Sequence, residues 1–276
     1  MRHTKLFGPR LYALFQWQTW AVFRRNAQVY LRNWKTAFFP PAMEPVIFFV
    51  AFGLGLGTYV GSLLYEGTEV GYSSYVAPGL VAYTAFSTPF FEALYSSYVR
   101  MFYQKTWDGI LSTQVEIEHI VWAELTWAGA RGMLNSVIVV LVLSVFQAVG
   151  LIDVHWQFFV LLPPLAFAAG WVFGAFGLIF TALVPSIDHM NYPVFLIGVP
   201  LGLVSNTYFP LQTDVLALKV LMNLNPVYHL AETFRSLLLS GSLNLHALWL
   251  LLSAMGYLWL FGAIAQPLIK RRVLGE

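Results

Sequence analysis

The stretch QKTWDGILSTQVEIEHIVWAEL, Gln104–Leu125, interrupts two apolar runs and decides how this chain is laid out. Five acidic or basic side chains fall within it, although charged residues make up only 10% of the whole. Before it, an apolar run extends from about Tyr75 to Tyr98. After it, a second starts beyond His119 and continues through SVIVVLVLSVF (Ser136–Phe146) to about Leu151. Either run is long enough, as a helix, to cross a hydrocarbon core about 30 Å thick. The polar stretch therefore reads as a connection on one side of a membrane.

Composition carries the same message. Apolar residues amount to 58% of the chain and aromatics to 17%, whereas soluble globular chains run at roughly 45–50% apolar and about 25% charged. There is no cysteine, which excludes disulfides and Cys-based metal sites. A net charge of +2, with no basic stripe away from the membrane flanks, gives no footing for nucleic acid. No secretory leader is expected, because no short apolar region with a small-residue cleavage site opens the chain.

Outward from the opening stretch, further apolar runs cover about Pro41 to Tyr59, Phe158 to Leu183, Pro193 to Ser205 and Leu245 to Ile269. Six crossings follow, the fifth short and interrupted by Gly198 and Pro200. Seven basic and no acidic residues precede Pro41, only Glu66 and Glu69 follow the first run, and Lys270, Arg271 and Arg272 lie at the end. The positive-inside rule then puts both termini and Gln104–His119 in the cytoplasm, and 206–244 outside. The expected fold class is an all-α polytopic membrane protein, one transmembrane domain over 1–276. It comprises a cytoplasmic or interfacial segment (1–37), a six-span bundle (38–269) and a cytoplasmic tail (270–276).

Two segments outside the spans have a character of their own. LYALFQWQTWAVFRRNAQVYLRNWK sets Leu11, Leu14, Phe15, Trp17 and Trp20 ahead of Arg24 and Arg25, the make-up of a helix lying along a leaflet. Between spans five and six, Pro210, Asn225 and Pro226 break a moderately apolar segment into pieces too short to cross. Two half-helices re-entering the outer leaflet, or a loop packed on the outer surface, both fit.

Within the spans, Glu44, Glu92, Glu124 and Arg131 stand out, since a charge at mid-membrane costs about 2.5–3.5 kcal/mol on insertion scales unless it faces protein or water. Glu124 and Arg131 share one helical face, two turns apart. These residues read either as the lining of a transport path, with Glu92 foremost, or as ion pairs near the inner interface. Tyr83, Phe86 and Phe90 recur at three and four, so they share a face that either stacks on a passing substrate or packs the bundle. Gly53, Gly57 and Gly61, like Gly170 and Gly174, fall four apart and suit close helix packing. There is no GxxxxGK[ST] loop for ATP, no metal-binding His pattern and no nucleophile–base pair. In the opening stretch, Trp107, Ile110 and Leu111 form a small apolar face on a short helix, with Asp108 near its positive end.

The strings RRN (Arg24–Asn26), MEPVIFFVAFGLGLG (Met43–Gly57) and VAPGLVAYTAF (Val76–Phe86) resemble the ABC-2 type permeases, the membrane subunits of type-2 ABC exporters. So do RMFYQKTWDGILSTQVEIEHIVWAELTWA (Arg100–Ala128), GLIFTALVPSIDHMNY (Gly177–Tyr192) and NPVYHLAETFRSLLLSG (Asn225–Gly241). Within that family the likeness is to the nodulation protein J-like lipooligosaccharide exporter permeases. It implies that Lys105, Thr106, Trp107, Asp108, Gly109, Ile110 and Leu111 form a coupling helix docked on a separate P-loop ATPase. It also implies two permease copies with two ATPases in the cell inner membrane, and export of a lipooligosaccharide, polysaccharide or drug-like amphiphile. ATP and Mg then belong to the partner, and this chain binds no cofactor. The substrate-path candidates are Tyr83, Phe86, Phe90 and Glu92. SNTYFP at Ser205–Pro210 departs from the family's usual Ser-Gly before FP. The alternative is a secondary, ion-coupled transporter using Glu92, which predicts inverted repeats; none is evident.

Overall fold

The structure, a computed structural model, describes residues 11–211 and 214–275. The basic residues Arg2, Lys5 and Arg10 used above for orientation lie outside them. Helices dominate. After a 3-10 turn at Leu11–Phe15, α1 covers Trp17–Arg32. Helix α2 starts at Trp34–Phe48 and runs through π-helical Phe49–Leu56 to Gly57–Val60. A hairpin follows, β1 (Ser62–Tyr65) paired antiparallel with β2 (Thr68–Gly71). This is a departure from the all-α expectation. Gly61 and Gly67, both at positive φ, turn the chain at its two ends.

Helix α3 (Tyr72–Phe91) continues through two π-turns, Glu92–Ser96 and Val99–Tyr103. The short α4 (Thr106–Leu111) comes next, then α5 (Ile117–Ala148). A 3-10 segment at Trp156–Leu161 leads into α6 (Leu162–Leu183). A broken helix α7 (Asn191–Pro193, Val194–Gly198, Val199–Leu203) is followed by the short pair α8 (Leu216–Leu224) and α9 (Pro226–Arg235, extended by a π-turn at Ser236–Ser240). Helix α10 (Leu245–Leu274) closes the chain.

Local chemistry sets several of these boundaries. The Glu116 carboxylate accepts from the His119 backbone while the Glu116 N–H donates to His119 Nδ1 at 2.9 Å, a reciprocal cap that starts α5. Asn225 caps α9 through Val227 N at 2.9 Å, with Pro226 in the first helical position where no N–H is needed.

Among the described residues, four helices are long and apolar enough to span a membrane: Ala37–Val60 within α2, α5, Trp156–Leu183 and α10. Helix α3 is not among them because Tyr, Ser, Thr and Pro, mostly toward its two ends, lower its mean hydropathy. It is nonetheless the most enclosed of the long helices, packed by α2, α5, α6 and α9. A helix surrounded by protein needs no lipid-like surface. Helices α5 and α6 approach closely. A Cβ on Gly170 would lie 2.6 Å from Gly129 Cα, so the two backbones touch only because both residues lack one. The Gly53–Gly61 face behaves otherwise: a Cβ on Gly57 would meet nothing closer than 3.6 Å, and on Gly61 nothing within 4 Å.

Candidate functional site

Helices α1, α3, α4 and α5 converge on one carboxylate. Glu124 of α5 is 1% exposed by side chain and accepts from four side chains. Asn26 Nδ2 of α1 reaches it at 3.3 Å, Ser97 Oγ at 2.9 Å, Arg100 Nε and Nη2 at 3.0 and 2.5 Å, and Trp107 Nε1 of α4 at 3.3 Å. Arg100 turns its remaining nitrogen to Glu92 Oε1 at 3.0 Å, and Glu92 also accepts from Trp127 Nε1 at 2.9 Å. Arg131 completes the chain of charges, its Nε 3.4 Å from Glu92 Oε2 and its guanidinium 4.3 Å from the centre of the Tyr30 ring. Two carboxylates and two guanidiniums thus neutralise one another where single charges would be costly.

Backbone geometry makes this possible. In a regular helix, residues eight apart overshoot two turns by about 80°. The π-turns of α3 take up extra residues between Glu92 and Arg100 and return both side chains to one face. The internal Glu124–Arg131 pairing open in the sequence does not form. Two turns separate those residues along the axis by roughly 10 Å, and each finds a nearer partner on α3.

Helix α4 hangs from this cluster. Arg25 Nη2 donates to Thr106 Oγ1 at 3.3 Å, a second tie between α1 and α4. Burial, and then the neighbouring Arg100, lower the Arg25 pKa from its ordinary value. Trp107 is fully buried, and Ile110 and Leu111 are half-buried against the core. The small apolar face of α4 is therefore turned into the chain itself, because Trp107 has Glu124 to bond and core to fill. Lys105, Asp108 and Gly109 are left exposed, with Lys105 and Asp108 paired at 3.6 Å.

The aromatic stripe of α3 divides in the same way. Phe86 and Phe90 are enclosed, with ring centres 4.9 Å from Phe173 and 5.6 Å from Phe176. Tyr83 is half-buried beside Tyr208. Glu92, and not the two phenylalanines, lines an open cleft of about 320 Å³ together with Glu44, Tyr95, Arg131 and Asn135.

Sequence reasoning singled out Glu92, Glu124 and Arg131 but gave no role to Asn26, Ser97, Arg100 or Trp127. Arg100 sits where the apolar run of α3 ends and reads there as an ordinary flanking charge.

A second buried cluster lies at the opposite end. Arg235, 0% exposed, donates to Glu232 Oε1 at 2.5 Å and to the carbonyl of Asn206 at 2.6 Å, and lies over the Tyr75 ring at 3.9 Å. Tyr65 of β1 donates to Glu232 Oε2 at 3.3 Å, which ties the hairpin to α9. Burial first, then the Glu232 charge, raise the Tyr65 pKa. Glu232 and Arg235 stand three apart in an otherwise apolar segment, a signal that sequence reasoning passed over.

The family model described as ABC-2 type transporter matches residues 17–239. Nodulation protein J of Rhizobium meliloti (strain 1021) is 29% identical over 227 residues, 82% of this chain and 83% of the relative. Nodulation protein J of Neorhizobium galegae is 27% identical over 258 residues, 92% and 93% of the two chains. The inner membrane transport permease YadH of Escherichia coli (strain K12) is 20% identical over 215 residues, 78% and 80%. No solved structure matches. With four apolar helices of spanning length and a family match over most of its residues, this chain is a multi-pass membrane permease that belongs to the ABC-2 type transporter family.

Proposed function

We propose that this chain is the membrane half of an ATP-driven exporter, and that α4 receives the work of a separate P-loop ATPase. The observation carrying this reading is the convergence on Glu124. Trp107 of α4, Arg100 of α3 and Asn26 of α1 share that one acceptor on α5, so α4 cannot shift without displacing three other helices. Lys105, Asp108 and Gly109 form the outward face that meets the ATPase, with Ile110 and Leu111 at its edge. ATP and Mg act on that partner, and two permease copies work with two ATPases.

Six crossings in one transmembrane unit follow if α3 and the broken α7 join the four apolar spans. Helices α8 and α9, nine and ten residues long, are then a re-entrant pair in the outer leaflet. The end carrying α1, α4 and the last turn of α10 faces the cytoplasm, since Arg24, Arg25, Arg32, Lys270, Arg271 and Arg272 gather there. The cell inner membrane is its location. The cargo is an amphiphile of the lipooligosaccharide, polysaccharide or drug-like kind. Glu92 already holds two guanidiniums and an indole N–H, which supports ATP-driven coupling over an ion-coupled cycle through that residue.

The test is reconstitution with the ATPase in vesicles. Asp108→Lys is expected to abolish cargo-stimulated ATP hydrolysis while leaving insertion intact. Full stimulation in that variant would remove α4 from the ATPase contact.

A further inference from the structure

The cleft beside Glu92 has no role in the coupling cluster, and its chemistry is specific. Glu92 itself is saturated: Oε1 takes Arg100 and Trp127, and Oε2 takes Ser96 and the Arg131 charge. The groups left over are acceptors. Asn135, 4% exposed, donates its amide to Thr88 Oγ1 at 3.0 Å, while its buried Oδ1 accepts nothing. Glu44, on α2 across the cleft, is exposed and forms no ion pair among the described residues. A carboxylate facing the cleft, with a buried amide oxygen behind it, both without donors among the described residues, calls for a ligand that brings donors.

The surroundings say what the rest of that ligand is. The cleft is walled by α2, α3 and α5, and Phe91, an exposed ring on α3, lies against it. Ile47 of α2, one turn beyond Glu44 on the same face, is also exposed. At Tyr95 and Ser96 the cleft adjoins a second one of about 280 Å³, which reaches Arg25 and Gln104 beside α4. A polar path therefore runs along the π-turns of α3 from the α4 end into the apolar zone, with apolar surface at its side.

From this arrangement we infer that the Glu44–Asn135 cleft binds the head of an amphiphile rich in hydrogen-bond donors, hydroxyls or an ammonium, while its tail lies in lipid along α2. The inference rests on the transport reading for its purpose, but the site itself needs no ATPase. Glu44 accepts from the head, Ser87 and Thr88 add hydroxyls beside Asn135, and Phe91 offers a ring face. Binding within one chain, at the cytoplasmic half of the bundle, would place cargo next to the helix that α4 moves.

The full chain in phosphatidylcholine vesicles, without any ATPase, tests this with spin-labelled lipids that share one acyl chain. The heads compared are a glucosyl group, an ammonium, a carboxylate and phosphocholine. The glucosyl lipid, the amine or both are expected to be retained over phosphocholine, and Glu44→Gln to cut that preference about tenfold, the scale of one charge-assisted hydrogen bond. Preference for the amine alone assigns the cleft to ammonium heads, and for the glucosyl lipid alone to polyols. Thr88→Val, which leaves every charge in place, should weaken the glucosyl lipid more than the amine. Equal retention of all four heads, or a preference untouched by both substitutions, overturns the site. A preference that survives while Asp108→Lys leaves ATP hydrolysis unaffected would retain the site and reject the coupling reading.

Discussion

The indole N–H of Trp107 donates to the carboxylate of Glu124 at 3.3 Å, with both side chains almost wholly enclosed. One hydrogen bond thereby joins the short helix between two apolar runs to the interior of the longest helix in the chain. On the proposed reading, motion of α4 passes through this bond, since Trp107 is the residue of α4 that is fully buried.

Trp107→Phe removes the donor and keeps most of the ring. It should cost about 1 kcal/mol in stability and leave membrane insertion intact, yet lower cargo-stimulated ATP hydrolysis in the reconstituted pair. Unchanged stimulation would mean that α4 transmits its motion by another route.

Arg100→Ala leaves Glu92 and Glu124 buried without their shared partner, and a loss of about 3–5 kcal/mol is expected. Arg100→Met combined with Glu124→Met, which removes two opposite charges together, should recover much of that loss. Thermal unfolding in detergent of both single variants and the pair gives the coupling energy directly.

Gly170→Ala drives a methyl group into Gly129, and an overpacking cost of about 1–3 kcal/mol should follow. Gly57→Ala has room within the chain and should leave the unfolding temperature of the isolated permease unchanged. If it instead weakens self-association measured by crosslinking, the second copy packs on that face of α2.

Tyr65 holds its proton more tightly folded than unfolded, so its contribution is complete below the unfolded phenol value of about 10 and is lost as pH rises above it. Hydrogen-exchange protection of β1 and β2, the rate relative to that of the unstructured amide at the same pH, should therefore fall above about pH 10. Tyr65→Phe should flatten that dependence and loosen the hairpin at every pH, since Glu232 then loses a donor. An unaltered pH profile in the variant would assign the loss of protection to another group.

Composition and apolar run length were enough to place this chain in a membrane and to locate the four helices of spanning length among the described residues. These are one-dimensional properties: about 20 apolar residues cross a bilayer whatever they touch. Two features escaped because they rest on local backbone detail, the β1–β2 hairpin and the π-turns of α3. Side-chain roles at the site were legible only as residue types. Glu92, Glu124 and Arg131 were visible as charges out of place, but which carboxylate meets which guanidinium depends on helix rotation and on the widened turns, which no spacing rule reports. The direction in which α4 turns its apolar face was not legible for the same reason. Periodicity finds an apolar stripe on a helix, while only packing decides whether Trp107 turns toward a partner or toward Glu124, and a buried acceptor with room beside it settled that in favour of the chain's own core.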